Sequence, residues 1–131
     1  MPFEWKSLLE LARQMERDAG AGAADAEALF RSAVSRAYFS AFCHARNFAE
    51  SFLNYQPRQD ERDHGSLRAH LKGKRRQGDA DRLERLRQWR NNADYLNVLP
   101  WSDNQLVATT AIAEADKIFK SLAPPTTSTG S

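Results

Sequence analysis

The stretch from Leu29 to Leu53 constrains the fold more than any other, because its apolar residues keep helical spacing over about seven turns. Successive apolar positions are three or four residues apart, which keeps them on one helical face: Phe30, Val34, Ala37, Ala41, Ala45, Phe48 and Phe52. Tyr38 and Phe42 widen this face, and the alanines allow neighbouring helices to approach closely. We therefore predict one long buried helix at the centre of a bundle.

A second line of residues on the same helix is polar. Its members are again three or four positions apart: Ser32, Arg36, Ser40, Cys43 and Asn47. Such side chains point in one direction, either into solvent or into a groove that another helix or a second subunit completes. The spacing alone leaves both alternatives open.

The length of 131 residues fits one domain, which we place at residues 1–123, with a polar tail at 124–131 that is predicted to be disordered. The net charge of +2 does not by itself indicate nucleic acid. Between Arg58 and Arg90, however, eleven basic residues stand against six acidic ones, and the run Lys72 to Arg76 is the densest part. This excess is either a solvated surface or a surface for phosphates.

The cysteine content and the hydropathy limit the cellular compartment. A single cysteine, Cys43, excludes an internal disulfide, and its apolar neighbours predict a buried or half-buried side chain. The start MPFEWK does not resemble a signal peptide, and no run of about eighteen apolar residues occurs. We therefore expect a cytoplasmic protein that does not span a membrane.

Four further helices are predicted around the central one. They are a first helix from Phe3 to Ala19 with Pro2 in its first turn, a short third helix that carries Leu67, His70 and Leu71 and is closed by Gly73, a fourth from about Ala80 to Tyr95, and a fifth after Pro100. The fifth carries an apolar stripe of Ala108, Ile112, Ala115, Phe119 and Leu122. No period-two alternation occurs, so the expected fold is an all-α, four- to five-helix up-and-down bundle.

Short polar side chains mark where these helices should begin. The predicted N-caps are Asp25 for the second helix, Asp63 for the third, Asp79 for the fourth and Ser102 for the fifth. Ser102 and Gln105 have the spacing of a capping box, and Trp101 and Leu106 would form its hydrophobic staple.

A compact polar cluster lies near the end of the fourth helix. It consists of Arg90, Asn91, Asp94 and Tyr95, in which Arg90 pairs with Asp94 and Asn91 with Tyr95 by four-residue spacing. In a structural role, Arg90 would tie the helix end to its neighbours. In a functional role, it would offer a planar, permanently charged fork to a phosphate, with Asn91 and Tyr95 beside it.

Three segments of the chain resemble the HEPN domains (higher eukaryotes and prokaryotes nucleotide-binding). They are Ser35-Arg-Ala-Tyr-Phe-Ser-Ala-Phe42, Asp63-His-Gly-Ser66 and Arg90-Asn-Asn-Ala-Asp-Tyr95, in the family's order. The resemblance implies a small helical bundle that commonly dimerises. It also implies either a metal-independent ribonuclease, often a toxin, or the partner of a small nucleotidyltransferase in a toxin-antitoxin-type pair.

The chain departs from the ribonuclease members at one position. In those members four to six residues separate the arginine from a histidine, whereas here the corresponding positions after Arg90 hold Tyr95, Leu96 and Asn97, and no histidine follows Arg90. A tyrosine with a pKa near 10 is a poor general base at pH 7. This favours a homodimeric module that binds RNA or nucleotide through Arg36, Arg90, Asn91, Asp94 and Tyr95 without cleaving it.

Two alternatives remain open from the sequence. One is a ribonuclease with Arg90 and Tyr95 as catalytic residues, with Arg36 or His44 and a second subunit as further contributors. The other is a purely structural interaction domain.

The histidines and the cysteine do not suggest a metal site. His44 lies at the edge of the apolar stripe, which predicts a packed, hydrogen-bonded side chain. His64 and His70 are six residues apart, so a single helix face does not hold both. The spacing of a zinc site and glycine-rich phosphate loops are missing from the sequence, and we expect neither a metal nor a cofactor.

Overall fold

The computed structural model describes residues 3–125, and within them the chain forms five α-helices and no strand. The helices are α1 (Trp5–Gly20), α2 (Ala26–Phe52), α3 (Asp63–Gly73), α4 (Gln77–Tyr95) and α5 (Asn104–Ser121). Helix α2 contacts each of the other four helices, and α5 also packs against α1 and α4. The predicted all-helical bundle around a long central helix is confirmed.

Alanines on α2 are the reason that four helices can surround it. Ala33, Ala37, Ala41 and Ala45 are completely buried, and their small side chains let the neighbouring backbones approach. Phe30, Val34 and Phe48 are also in the core, as predicted. The prediction for Phe52 is wrong, since 49% of its surface is exposed. It is the last residue of α2, where the helix leaves the core.

The polar line on α2 does not form one groove. Ser40 and Cys43 are buried in the core, while Ser32 and Arg36 are half-buried and Asn47 is exposed. Ser40 Oγ donates to the Ala37 carbonyl oxygen at 2.9 Å, so this hydroxyl is satisfied inside its own helix. For the middle of the line the solvated alternative is therefore wrong, and neighbouring helices of the same chain cover it, as the alternative of a second helix required. The burial predicted for Cys43 is confirmed, and it raises the pKa of the thiol.

The N-cap predictions for α3 and α4 are wrong, because tertiary partners bind the two carboxylates. Asp63 is the first residue of α3 and accepts a hydrogen bond from the buried Tyr55 hydroxyl. Asp79 lies inside the first turn of α4, where it accepts from Ser121 Oγ at 2.8 Å. Asp25 does precede α2, but its side chain makes no capping hydrogen bond.

Helix α5 begins one residue later than the predicted capping box required. Asp103, not Ser102, is the N-cap, and its carboxylate accepts from the Leu106 amide at 3.0 Å. Leu106 is exposed rather than part of a hydrophobic staple, whereas Val107 packs against the core. A carboxylate is a better acceptor for an amide than a hydroxyl, which favours Asp103 over its neighbour.

The predicted role of Pro2 and most of the predicted disordered tail lie outside the described residues. Within the described residues, no helix has both the length and the apolar character that crossing a bilayer requires.

Candidate functional site

Arg90 lies on α4 with its guanidinium packed against aromatic rings of α2. The guanidinium carbon is 4.7 Å from the ring centroid of Phe39 and 5.4 Å from that of Tyr38. Only 14% of the side chain is exposed. Such cation–π contacts stabilise the position of a charge that cannot be titrated away.

Polar neighbours on α4 fix the orientation of this guanidinium. Arg90 Nη1 donates to Asn91 Oδ1 at 2.8 Å, and Arg90 Nε lies 3.5 Å from Asp94 Oδ2. Asp94 Oδ2 also accepts from Ser35 Oγ of α2 at 3.2 Å. The predicted pair of Arg90 and Asp94 is confirmed, and it links α4 to α2. Arg90 Nε is buried and makes no hydrogen bond within residues 3–125.

The fold brings a histidine to this arginine although none follows it in the sequence. His64, at the start of α3, forms a hydrogen bond through Nδ1 with the Tyr38 hydroxyl. Its ring stacks on Phe42, with the two centroids 4.2 Å apart. Tyr38 therefore contacts both His64 and Arg90. The sequence analysis missed both Tyr38 and His64 as site residues, although they lie in two of the three segments that carry the HEPN resemblance.

Three arginines act on this tyrosine and histidine. Burial raises the pKa of Tyr38 far above its ordinary value, against the opposing charges of Arg90, Arg68 and Arg87. Burial also lowers the pKa of His64, and the same three arginines lower it further. His64 is therefore neutral at neutral pH. A protonated Tyr38 can donate to Nδ1, which leaves the histidine proton on Nε2. We call Arg68, Arg87 and Arg90, together with Tyr38 and His64, the arginine cluster.

The other two arginines of the cluster are held to different degrees. Arg68 Nε pairs with Glu84 at 2.9 Å, and its Nη1 donates to the His64 carbonyl oxygen at 3.2 Å. Arg87 is half-buried and makes neither a hydrogen bond nor an ion pair with another described residue. Its charge is therefore available to a ligand.

Arg36 lies in a neighbouring cleft between α2 and the end of α4. The cleft encloses about 350 Å³, and Ser32, Ser35, Arg36 and Asp94 are among the residues that line it. Asp94 belongs to both places, because it lines the cleft and also pairs with Arg90. The structure thus brings Arg36, Asp94 and Arg90 into one region, as the sequence prediction required.

A second arginine of this cleft has a structural role. Arg31 Nη1 donates to the carbonyl oxygens of Ala93 at 3.0 Å and Leu96 at 2.6 Å. These carbonyls lie at the end of α4, where a cation satisfies free acceptors and the helix dipole.

Tyr95 lies apart from Arg90. It follows Arg90 by five residues, which places it about 140° around the axis of α4, and 73% of its surface is exposed. Asn91 lies one turn before Tyr95 on α4, as predicted, and its Oδ1 accepts a hydrogen bond from Arg90. Within one chain the structure does not bring Arg90 and Tyr95 together as a catalytic pair. A joint role for them stays a prediction that needs a ligand or a second subunit to bridge them.

The remaining histidines and Arg76 of the basic turn have structural contacts. The packed role predicted for His44 is confirmed, since its Nε2 donates to the Leu122 carbonyl oxygen at 2.8 Å and its ring stacks on Phe119. His70 Nε2 is 2.6 Å from the Leu53 carbonyl oxygen. In the basic turn, Arg76 donates to the Ser121 carbonyl oxygen at 3.2 Å. In the part of the chain that the structure describes, no cluster of three or more His, Cys, Asp or Glu side chains could hold a metal ion.

Comparison with protein-family models, with curated proteins and with solved structures finds no match to this chain. The HEPN resemblance therefore rests on the three segments named above.

Proposed function

We propose that this chain is a HEPN-like helical module that binds RNA or nucleotides through their phosphates, with the arginine cluster as the binding site. We further propose that it acts as a homodimer and as the partner of a small nucleotidyltransferase. The observation that carries the proposal is the fixed guanidinium of Arg90, held over two aromatic rings beside two further arginines.

The geometry suits an anion for two physical reasons. A guanidinium that is already oriented loses little conformational entropy when it binds a phosphate. Arg87 adds a charge that no residue from 3 to 125 pairs with, and the Nε2–H of neutral His64 can donate to a phosphate oxygen. Together they offer a phosphate both charge and directed hydrogen bonds.

The partner protein is supported by the HEPN resemblance alone. Co-expression with a small nucleotidyltransferase encoded beside this chain tests it, with co-purification through a tag on one protein as the readout. Recovery of the two proteins as a stoichiometric complex is the expected result, and separate elution would refute this part of the proposal.

Substitution of Arg87 tests the binding site with little risk to the fold. Arg87→Ala is expected to weaken binding of a fluorescent single-stranded RNA about fivefold, or by about 1 kcal/mol. It should also lower the slope of log affinity against log salt by about 0.7 to 1, because one phosphate contact is lost. Fluorescence anisotropy at several salt concentrations measures both quantities.

Arg85→Ala is the matched control. Arg85 is on the same helix, about 200° around its axis from Arg87, where it pairs with Glu114 at 3.1 Å. The Arg85→Ala substitution therefore removes the same charge from α4 but not from the arginine cluster. Equal losses of RNA affinity in Arg87→Ala and Arg85→Ala would indicate a diffuse charge effect and refute the proposed site.

A metal-independent ribonuclease is the second candidate, and the position of His64 favours it. The sequence analysis considered Tyr95 and His44 as acid or base and overlooked His64, which is neutral, contacts Tyr38 and is influenced by the charge of Arg90. In the tautomer in which His64 Nδ1–H donates to the Tyr38 oxygen, Nε2 carries a free lone pair that can accept a proton, as general-base catalysis requires.

The assay for this candidate incubates RNA with the purified protein in the presence of a metal chelator. His64→Gln and Tyr95→Phe are compared with the unsubstituted protein. If only His64→Gln abolishes cleavage, the result supports a histidine-dependent ribonuclease. If only Tyr95→Phe abolishes it, the result supports a ribonuclease that uses Arg90 and Tyr95. Binding without any cleavage supports the binding module.

A further inference from the structure

A cavity of about 470 Å³ lies between the start of α1, the C-terminal third of α2 and the end of α5. Its lining includes no residue of the arginine cluster. We propose that this cavity binds a small, uncharged, flat heteroaromatic ring that carries an amino group. Its volume lies in the range of about 300 to 1,000 Å³ that small-molecule sites occupy.

Aromatic side chains from three helical segments form the walls of this cavity. Phe3 and Trp5 make an edge-to-face pair with their centroids 4.8 Å apart. His44 and Phe119 are stacked 4.2 Å apart on another wall. Flat rings pack against such walls with favourable stacking or edge contacts, so the shape selects a planar ligand.

Three side chains of the cavity, His44, Asn47 and Glu4, offer acceptors that have no partner among the described residues. Because His44 Nε2 donates its proton to the Leu122 carbonyl, Nδ1 carries the lone pair and has no partner among the described residues. Burial lowers the pKa of His44, which keeps this acceptor unprotonated at neutral pH. Asn47 is exposed and Glu4 lines the same cavity, and neither side chain has a hydrogen-bond or ion-pair partner within residues 3–125. An amino group supplies the donors that these acceptors lack.

The charges around the cavity favour an uncharged ligand. Lys6 and Lys120 are balanced by Glu4 and Asp116 among the lining residues. Asp116 is already paired with Lys120 at 2.9 Å and with Arg13 at 3.2 Å. The cavity therefore differs from the arginine cluster, which carries an excess of positive charge, and the inference does not depend on the proposed function.

Titration with fluorescent 2-aminopurine, with purine as competitor, tests this inference. Because stacking quenches its fluorescence, 2-aminopurine is expected to show saturable quenching at micromolar to millimolar concentrations. Purine lacks the amino group and should compete about tenfold more weakly, because the hydrogen bonds from that group to the acceptors of the cavity are lost. Absence of saturable quenching, or equal competition by purine, would overturn the inference.

Two substitutions locate the binding in this cavity. Asn47→Ala alters an exposed side chain and should weaken 2-aminopurine binding several-fold, whereas Glu50→Ala, on the same helix outside the cavity, should leave it unchanged. His44→Phe keeps the stack on Phe119 but removes the acceptor, and should weaken binding further. Unchanged binding in Asn47→Ala would refute the site even if the His44 variant failed to fold.

Discussion

At the scale of single residues, Arg90 has the structural role that the sequence considered for it, and its phosphate-binding role remains a prediction. It joins α4 to α2 through Asp94 and Ser35, and it packs on Phe39. The same contacts that make it structural also hold its charge in a fixed direction. The sequence could predict the pair with Asp94 from a four-residue spacing, but not the aromatic rings beneath the guanidinium, because they belong to another helix.

Neutral histidines should make the stability of the protein sensitive to mild acid. The folded-state pKa values of His44 and His64 are both lowered, chiefly by burial. Their stabilisation is complete above the unfolded-state pKa of about 6.5 and is lost as the pH falls towards the lowered folded-state values. The free energy of unfolding should therefore decrease from pH 7.5 to pH 5, by at most about 1.4 kcal/mol per pH unit for each histidine.

Urea denaturation at a series of pH values measures this dependence. His64→Gln removes one of the two titrating groups and should flatten the curve over the same range. A free energy of unfolding that is constant from pH 7.5 to pH 5 would contradict the neutral, buried state of these histidines.

At the scale of helices, the periodicity of apolar residues predicted the elements well, and local capping signals predicted their first residues poorly. Periodicity sums many residues, so one exception such as Phe52 does not matter. A cap depends on one side chain, and a tertiary partner can engage that side chain instead. Tyr55 does so with Asp63, and Ser121 with Asp79.

The start of α5 provides a direct test of the corrected cap. Asp103→Ala should lower the free energy of unfolding by about 1 kcal/mol, because the Leu106 amide loses its acceptor. Ser102→Ala should change it by less than about 0.5 kcal/mol. Chemical denaturation of the two variants measures the difference, and a larger loss in Ser102→Ala would restore the original capping box.

The alanines of α2 test the packing of the central helix. Ala37→Leu inserts volume where the side chain is completely buried, and should destabilise the protein by about 1 to 3 kcal/mol. Ala28→Leu, at an exposed position of the same helix, is the control and should have little effect. Thermal unfolding followed by circular dichroism compares the two. Equal melting temperatures would mean that α2 is not enclosed.

At the scale of the whole molecule, the bundle was predictable and the composition of the site was only partly so. Arg36, Arg90 and Asp94 were identified from residue type and spacing, and the structure brings them into one region. Tyr38 and His64 come from segments 26 residues apart. Their contact depends on how α3 packs beside α2 and α4, which helical periodicity does not specify.

Homodimerisation remains a prediction at this scale. The cleft with Arg36 is open, and the exposed apolar residues Tyr95, Leu96 and Val98 follow at the end of α4. A contiguous exposed apolar segment beside a cleft is typical of an interaction surface. Light scattering should give about twice the chain mass of 14.8 kDa. Val98→Asp should shift the protein towards the monomer, and a stable monomer at high concentration would contradict the prediction.

The central claim, that the arginine cluster binds phosphate, is tested most directly by the RNA affinity of Arg90→Ala. Loss of charge-assisted hydrogen bonds to phosphate should weaken binding by about 1 to 3 kcal/mol. Tyr95→Phe removes one neutral hydroxyl from an exposed side chain and should cost less. Each protein is first shown by its melting curve to be folded at the assay temperature, because Arg90 also packs on Phe39. The account predicts a weaker but folded Arg90→Ala variant; a folded variant that binds RNA as tightly as the unsubstituted protein would contradict it.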